Sequence, residues 1–344
     1  MRTAIVLTTM LANLLPAGYG FAADPERFEF ESRQMGTMFR IVAYGEKESV
    51  EKAKTDAIAR ITELDQIFSD YKTDSETTKL CKANDKMPNV FRPVSREMLH
   101  VLTKAKEISG KSDDSFDVTI GPLVQLWRIS RRTQELPDAK ELADAKNKVG
   151  SKLISLDRDM LKVKLEKPGM RLDFGGIVKG YAADEALAIF QKAGISQVLI
   201  AASGDIRTGT APPGKKGWDV EITPLGKGMP PRHLILADQA VSTSGDLFQS
   251  VEIKGTRYSH VLDPKTGLGL TGWRSVTVIA PKGIDADSLT KACSVLPLDR
   301  AKALIDSIKG AAFFIAEKQK ESDEPTFTQS DHFADYVKPT TPKP

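Results

Sequence analysis

The chain has 344 residues, 40% of them hydrophobic, and a formal net charge of +3 that gives no reason to invoke nucleic acid as a partner. Two cysteines, Cys81 and Cys293, exclude a disulfide framework or a thiolate metal cluster. They leave either one disulfide or free thiols, and the apolar run Ala292-Cys293-Ser294-Val295-Leu296 suits a buried thiol.

Arg2, the apolar stretch from Ala4 to Leu15, Pro16 and then Gly20-Phe21-Ala22 read as a secretory signal peptide over 1–22, cleaved after Ala22. That address is a bacterial periplasm, and no later stretch is apolar and long enough for stable membrane insertion. Phe28 to Ala43 reads as strand, broken at Met35-Gly36-Thr37. Val50, Ala53, Ala57, Ile61, Leu64 and Ile67 recur at three- and four-residue steps, which predicts an amphipathic helix. A second helix runs from a Ser95 N-cap to Gly110, and 150–165 reads as a hairpin. A helix over 177–193 follows, then short β-rich runs at 197–202, 218–223, 233–237, 250–253 and 275–280. Helices from Asp287 to Leu296 and Leu298 to Ile308, and a strand over 311–316, close the pattern. From about Glu321 the sequence is polar and Pro/Lys/Thr-rich, so a loosely held tail over 321–344 is expected after a domain over 23–320. Strands grouped rather than strictly alternating with helices predict an α+β fold, and the length beyond one ordinary core predicts one large domain with two lobes or two closely joined domains.

Chemistry concentrates first at Arg171-Leu172-Asp173-Phe174-Gly175-Gly176-Ile177-Val178-Lys179-Gly180-Tyr181-Ala182. A short strand, a glycine turn and a helix start gather free N–H groups and the positive end of a helix dipole, and Lys179 adds a full charge. The occupant is either an anion such as phosphate or pyrophosphate, or nothing more than a helix cap with a solvated lysine. Among His100, His233, His260 and His332, only His260 combines a strand end with a following strong turn, Asp263-Pro264-Lys265-Thr266-Gly267. It reads as a general base or as a structural histidine that holds the turn.

These two segments, with Met35-Gly36-Thr37, Phe68-Ser69-Asp70-Tyr71, Phe116 to Trp127, Ser203-Gly204-Asp205-Ile206, Ala240 to Asp246 and Ala286 to Ala292, appear in an order that resembles the ApbE family of FAD:protein FMN transferases. The resemblance covers Met35 to about Leu298 and implies a single domain with a flavin cleft between two lobes. It implies that FAD is the substrate, that Mg²⁺ sits at the pyrophosphate, and that FMN passes to a Thr or Ser hydroxyl of an acceptor protein, such as a redox-complex subunit, with release of AMP. On this resemblance Met35, Tyr71, Ser115, Phe116, Asp117, Asp173, Lys179 and Val261 contact FAD, and His260 takes the proton of the incoming hydroxyl. Tyr71 alone would otherwise read as an ordinary core tyrosine. Gly176 by its carbonyl, Asp287 and Thr290 would hold the metal.

One position departs from the family. A Thr or Ser is usual one turn after Asp287, and this chain has Lys291, whose ammonium cannot ligate a cation. Three outcomes follow: Thr290 completes the metal site, Lys291 replaces part of the metal's charge, or transfer is lost and the protein only binds flavin. An FAD pyrophosphatase releasing FMN and AMP to water is a further alternative.

Overall fold

The computed structural model describes residues 25–225, 229–245 and 250–339, so the signal peptide expected over 1–22 and Asp246 lie outside the described residues. Strands β1 (Glu26–Gln34) and β2 (Thr37–Gly45) form a hairpin in the expected place, turning at Met35 and Gly36, both with positive φ. Helix α1 (Lys47–Phe68) buries the predicted apolar stripe and is capped by the Glu46 carboxylate. Helix α2 (Glu76–Lys86), strand β3 (Arg92–Pro93) and helix α3 (Arg96–Lys111) follow, the last capped by Ser95 as its sequence predicts. Helices α4 (Gly121–Thr133) and α5 (Ala139–Lys146) lead to the hairpin of β4 (Ile154–Asp157) and β5 (Lys162–Leu165). After α6 (Val178–Lys192) come β6 (Val198–Ala202), β7 (Asp205–Thr208), the pair β8 (Trp218–Ile222) and β9 (Arg232–Leu236), and β10 (Ala240–Ser244). A small sheet of β11 (Ser250–Ile253), β12 (Thr256–Leu262) and β13 (Gly269–Thr271) precedes β14 (Trp273–Ala280). Helices α7 (Gly283–Val295) and α8 (Leu298–Asp306) and strands β15 (Ala312–Lys318) and β16 (Thr326–Gln329) complete the chain.

The main sheet has the order β1-β2-β6-β7-β10-β14-β15-β16, its strands follow one another in space as they do along the chain, and every neighbouring pair is antiparallel. Alternation along the strands gives each face its own core. Phe39, Ile41, Ala43, Val276, Val278, Phe313 and Ile315 pack under α1, α6 and α7, while Val42, Ile279, Ala312, Phe314 and Ala316 pack under the β8–β9 pair. This is an α+β fold. Among the described residues, no helix is long and apolar enough to cross a membrane.

Two expectations need correction. The segment from Glu321 is not a loose tail throughout: β16 extends the main sheet, and Phe333 is fully buried with its ring 5.4 Å from that of Phe314. The buried Phe333, together with the stacking of the partly exposed Phe327 on Phe314, outweighs the polar composition around them. The helix expected to open at Asp287 opens at Gly283, because the Asp184 carboxylate on α6 accepts hydrogen bonds from the Gly283 and Ile284 amides.

Candidate functional site

The site begins where α6 crosses α7. A Cβ on Gly180 would lie 2.0 Å from the Gly283 carbonyl oxygen, so only glycine permits this approach. The crossing brings the Gly180 amide within 3.2 Å of the Asp287 carboxylate and places Lys179 and Lys291 side by side at one cavity wall. β7 and β10 pair with Ser242 opposite Asp205, and the Ser242 hydroxyl donates to that carboxylate at 2.5 Å.

Two cavities meet here. The first, about 400 Å³, is lined on its apolar side by Tyr71, Phe116, Trp127 and Val261, and on its polar side by Ser115, Asp117, Asp173, Gly176 and Arg128. The second, about 410 Å³, is lined by Ser203, Gly204, Asp205, Thr243 and Ser244. Three residues line both: Lys179, His260 and Lys291.

Tyr71 is 77% exposed, which rules out a core role. Its ring lies under the Arg128 guanidinium at 4.2 Å, and Arg128 bonds Asp70 at 2.7 Å. Asp173 accepts the Gly175 amide at 2.8 Å, and burial with the nearby Asp70 charge raises its pKa. Asp117 is held by the amide and hydroxyl of Thr119, its other oxygen is buried without a partner, and burial pushes its pKa to about 6.

At the junction the Lys179 ammonium lies 2.6 Å from Asp205 and 3.7 Å from Asp287. Burial works against that charge, but the two carboxylates outweigh it and hold Lys179 protonated. The His260 Nδ1 is buried and has no hydrogen-bond partner. Burial, then the charges of Lys291, Arg131 and Lys179, lower its pKa to about 4, so the ring is neutral at pH 7.

Ten of the expected site residues line the first cavity: Tyr71, Ser115, Phe116, Asp117, Asp173, Gly176, Lys179, His260, Val261 and Lys291. The Val261 amide is already engaged, donating to Ser259 Oγ at 3.0 Å. Met35 lines neither cavity; at the β1–β2 turn it packs against the core. Thr290 is also away from the cavity wall, because its hydroxyl is turned to the carbonyls of Ala286 at 2.5 Å and Ser242 at 3.4 Å. Arg128, Arg131, Asp205 and Ser244 were not among the expected site residues, although the recurrence of Ser-Gly-Asp at 203–205 and 244–246 was a signal for the last two.

These residues do not fit a divalent ion at Asp287. One Asp287 oxygen is buried without a partner, but Thr290 faces elsewhere and Asp205 is committed to Lys179. The Lys291 stem covers Gly176 so closely that a Cβ there would lie 2.7 Å from Lys291 Cγ. A divalent cation about 4 Å from an ammonium meets a repulsion of roughly 8 kcal/mol at an effective dielectric of about 20. Among the described residues, no group of three or more His, Cys, Asp or Glu is placed to hold a metal.

The sequence pattern of the ApbE family matches residues 35–315. The FAD:protein FMN transferase of Escherichia coli (strain K12) is 31% identical over 304 residues, covering 85% of this chain and 84% of that protein. The FAD:protein FMN transferase of Klebsiella pneumoniae (strain 342) is 30% identical over 303 residues, with 85% and 84% covered. The flavinyl transferase ApbE of Pseudomonas stutzeri, in its apo form, has the same fold, with a TM-score of 0.81 over 93% of this chain and 99% of that one at 24% identity. An ApbE protein of Thermotoga maritima aligns with a TM-score of 0.79 at 26% identity, covering 91% and 100%. The chain belongs to the ApbE family.

Proposed function

We propose that this protein moves FMN from FAD onto a Thr or Ser hydroxyl of an acceptor protein, releases AMP, and works in the periplasm after export. The observation that carries the reading is the junction: Lys179, His260 and Lys291 line both cavities, so a ligand spanning them presents its middle to two cations and one neutral base. FAD matches that layout, with a flat ring system for the wall of Tyr71, Phe116 and Trp127 and a diphosphate in its centre.

The acceptor oxygen forms a bond to the FMN phosphorus. The bond from that phosphorus to the bridging oxygen breaks, and AMP departs with the electron pair. The hydroxyl proton passes to the His260 ring. A pKa of about 4 makes the free ring a weak base, but two of the charges that depress it, Lys291 and Lys179, are those a bound diphosphate would offset. Positioning and electrostatics are the main demands of phosphoryl transfer, and the junction supplies both. The Mg²⁺ expected at Gly176, Asp287 and Thr290 has no part in this scheme, because the donor set does not suit it.

That same low basicity is the one observation favouring a second reading, a protein that holds FAD without cleaving it. Incubating the full chain with FAD and a Thr-bearing acceptor domain, then weighing the acceptor, separates them. The transferase reading expects the mass of one attached FMN. An unchanged acceptor beside intact bound FAD supports the holding protein.

A further inference from the structure

The position where sequence and family disagree is also where the structure is most specific. Lys291 leaves α7 in its third turn, and its stem crosses the face of Gly176, where any larger residue would collide with Lys291 Cγ. Its ammonium has three donors, and one goes to the Ser244 hydroxyl at 3.0 Å. Among the described residues, no carboxylate oxygen lies within 4.0 Å of it. Lys179 is different: it is locked to Asp205 at 2.6 Å. Burial, opposed by the Asp287 and Asp205 charges, lowers the Lys291 pKa, so Lys291 stands between the two cavities and beside the glycine turn as an amine with no direct ion pair, whose charge a bound anion would favour.

We propose that Lys291 is a phosphate-binding residue that takes the place of a divalent ion in this chain, so that FAD is bound and cleaved here without a metal at Asp287. Identifying the anion as the FAD diphosphate rests on the transferase reading. The Lys291 ammonium donates to a non-bridging phosphate oxygen and offsets the charge that builds there as the bond to AMP breaks. A lysine does this as a mobile point charge, and the three groups that hold it in place are the Gly176 surface, the Ser244 hydroxyl and the α7 backbone. Ser244 is then a positioning residue for Lys291, which explains a serine that is 4% exposed at the end of β10.

The test uses the full chain and reads binding separately from turnover. FAD affinity is measured by calorimetry in a chelator and in millimolar Mg²⁺, for wild type and for Lys291→Met, which keeps the stem and removes the charge. Metal uptake is measured directly, as Mn²⁺ bound to FAD-saturated protein by electron paramagnetic resonance. The expected result is that wild type binds FAD equally in both buffers and takes up no stoichiometric Mn²⁺. Lys291→Met should bind FAD roughly tenfold to a hundredfold more weakly in chelator, the loss of one charge-assisted hydrogen bond. Lys291→Thr should become dependent on Mg²⁺ for FAD affinity. One Mn²⁺ bound per FAD-loaded wild-type chain, or FAD affinity abolished by chelator, overturns the proposal. Unchanged affinity of Lys291→Met in chelator overturns it too. If Lys291→Met does not fold, the wild-type Mn²⁺ titration decides alone. If no acceptor is modified in any buffer while wild type binds FAD without metal, the transferase reading and the cleavage role of Lys291 fail, and its phosphate-binding role stands.

Discussion

The two ends of the first cavity are built on different principles. At the Tyr71 end an exposed ring lies under a half-buried guanidinium that pairs with Asp70, so area, shape and a partly hydrated ion pair meet there. At the junction, Asp205 and Asp287 are 5% and 0% exposed, and the Lys179 ammonium lies 2.6 Å and 3.7 Å from them. Losing the exposed Tyr71 ring removes contact area and little else. A charge lost at the second leaves its partners buried and unpaired, which costs far more than the contact was worth. Binding is thus tunable at one end, whereas the other is committed to one chemistry.

Substitutions can break this contrast, beginning with the largest expected effect. His260→Ala should fold and bind FAD while slowing FMN transfer by ~10²–10⁴-fold, measured as acceptor mass against time. Transfer at the wild-type rate removes His260 from the reaction, and failure to fold makes it a structural residue. Lys179→Met should lower stability by about 3–5 kcal/mol in denaturant unfolding, because Asp205 and Asp287 lose their shared cation. A loss under about 1 kcal/mol would mean the junction is no more committed than the surface.

The pH dependence follows from His260. Its folded pKa of about 4 lies below the ordinary 6.5, so the unfolded chain takes up this proton first. The stability it contributes is whole above pH 6.5 and is lost as pH falls through that window, by at most about 3 kcal/mol. His260→Ala should flatten that part of a stability profile; an identical slope in the variant would contradict the shift. Tyr71→Ala should weaken FAD binding by ~1–3 kcal/mol in calorimetry with no change in stability. Unchanged affinity takes Tyr71 out of the site.

Local pattern made part of this molecule legible before the fold was known. The stripe from Val50 to Ile67 and the Ser95 cap specify α1 and α3, because helix period and capping are written within a few residues. Helix α2 was not legible, since only Thr77, Leu80, Cys81 and Asn84 face inward and two of these are polar. Helix α4 opens with Gly121-Pro122 and no side-chain cap, which resembles a turn. The junction was half legible. His260, Lys179 and Lys291 stood out by type and neighbourhood, but Asp205 reaches the site through the pairing of β7 with β10 and Ser244 through the pairing of β10 with β14, registers that the recurring Ser-Gly-Asp does not encode. Thr290 was misplaced for a different reason: its spacing from Asp287 puts it near the same helix face, yet its hydroxyl bonds back to the Ala286 carbonyl of its own helix, at 2.5 Å.

The most direct test of the central claim is stoichiometric. Wild type and His260→Ala are incubated in parallel with FAD and a Thr-bearing acceptor domain, and AMP released is counted against FMN attached. One AMP is expected for each modified acceptor in wild type, with a shared, proportional slowing of both in the variant. AMP and free FMN accumulating in wild type beside an unmodified acceptor would contradict that claim.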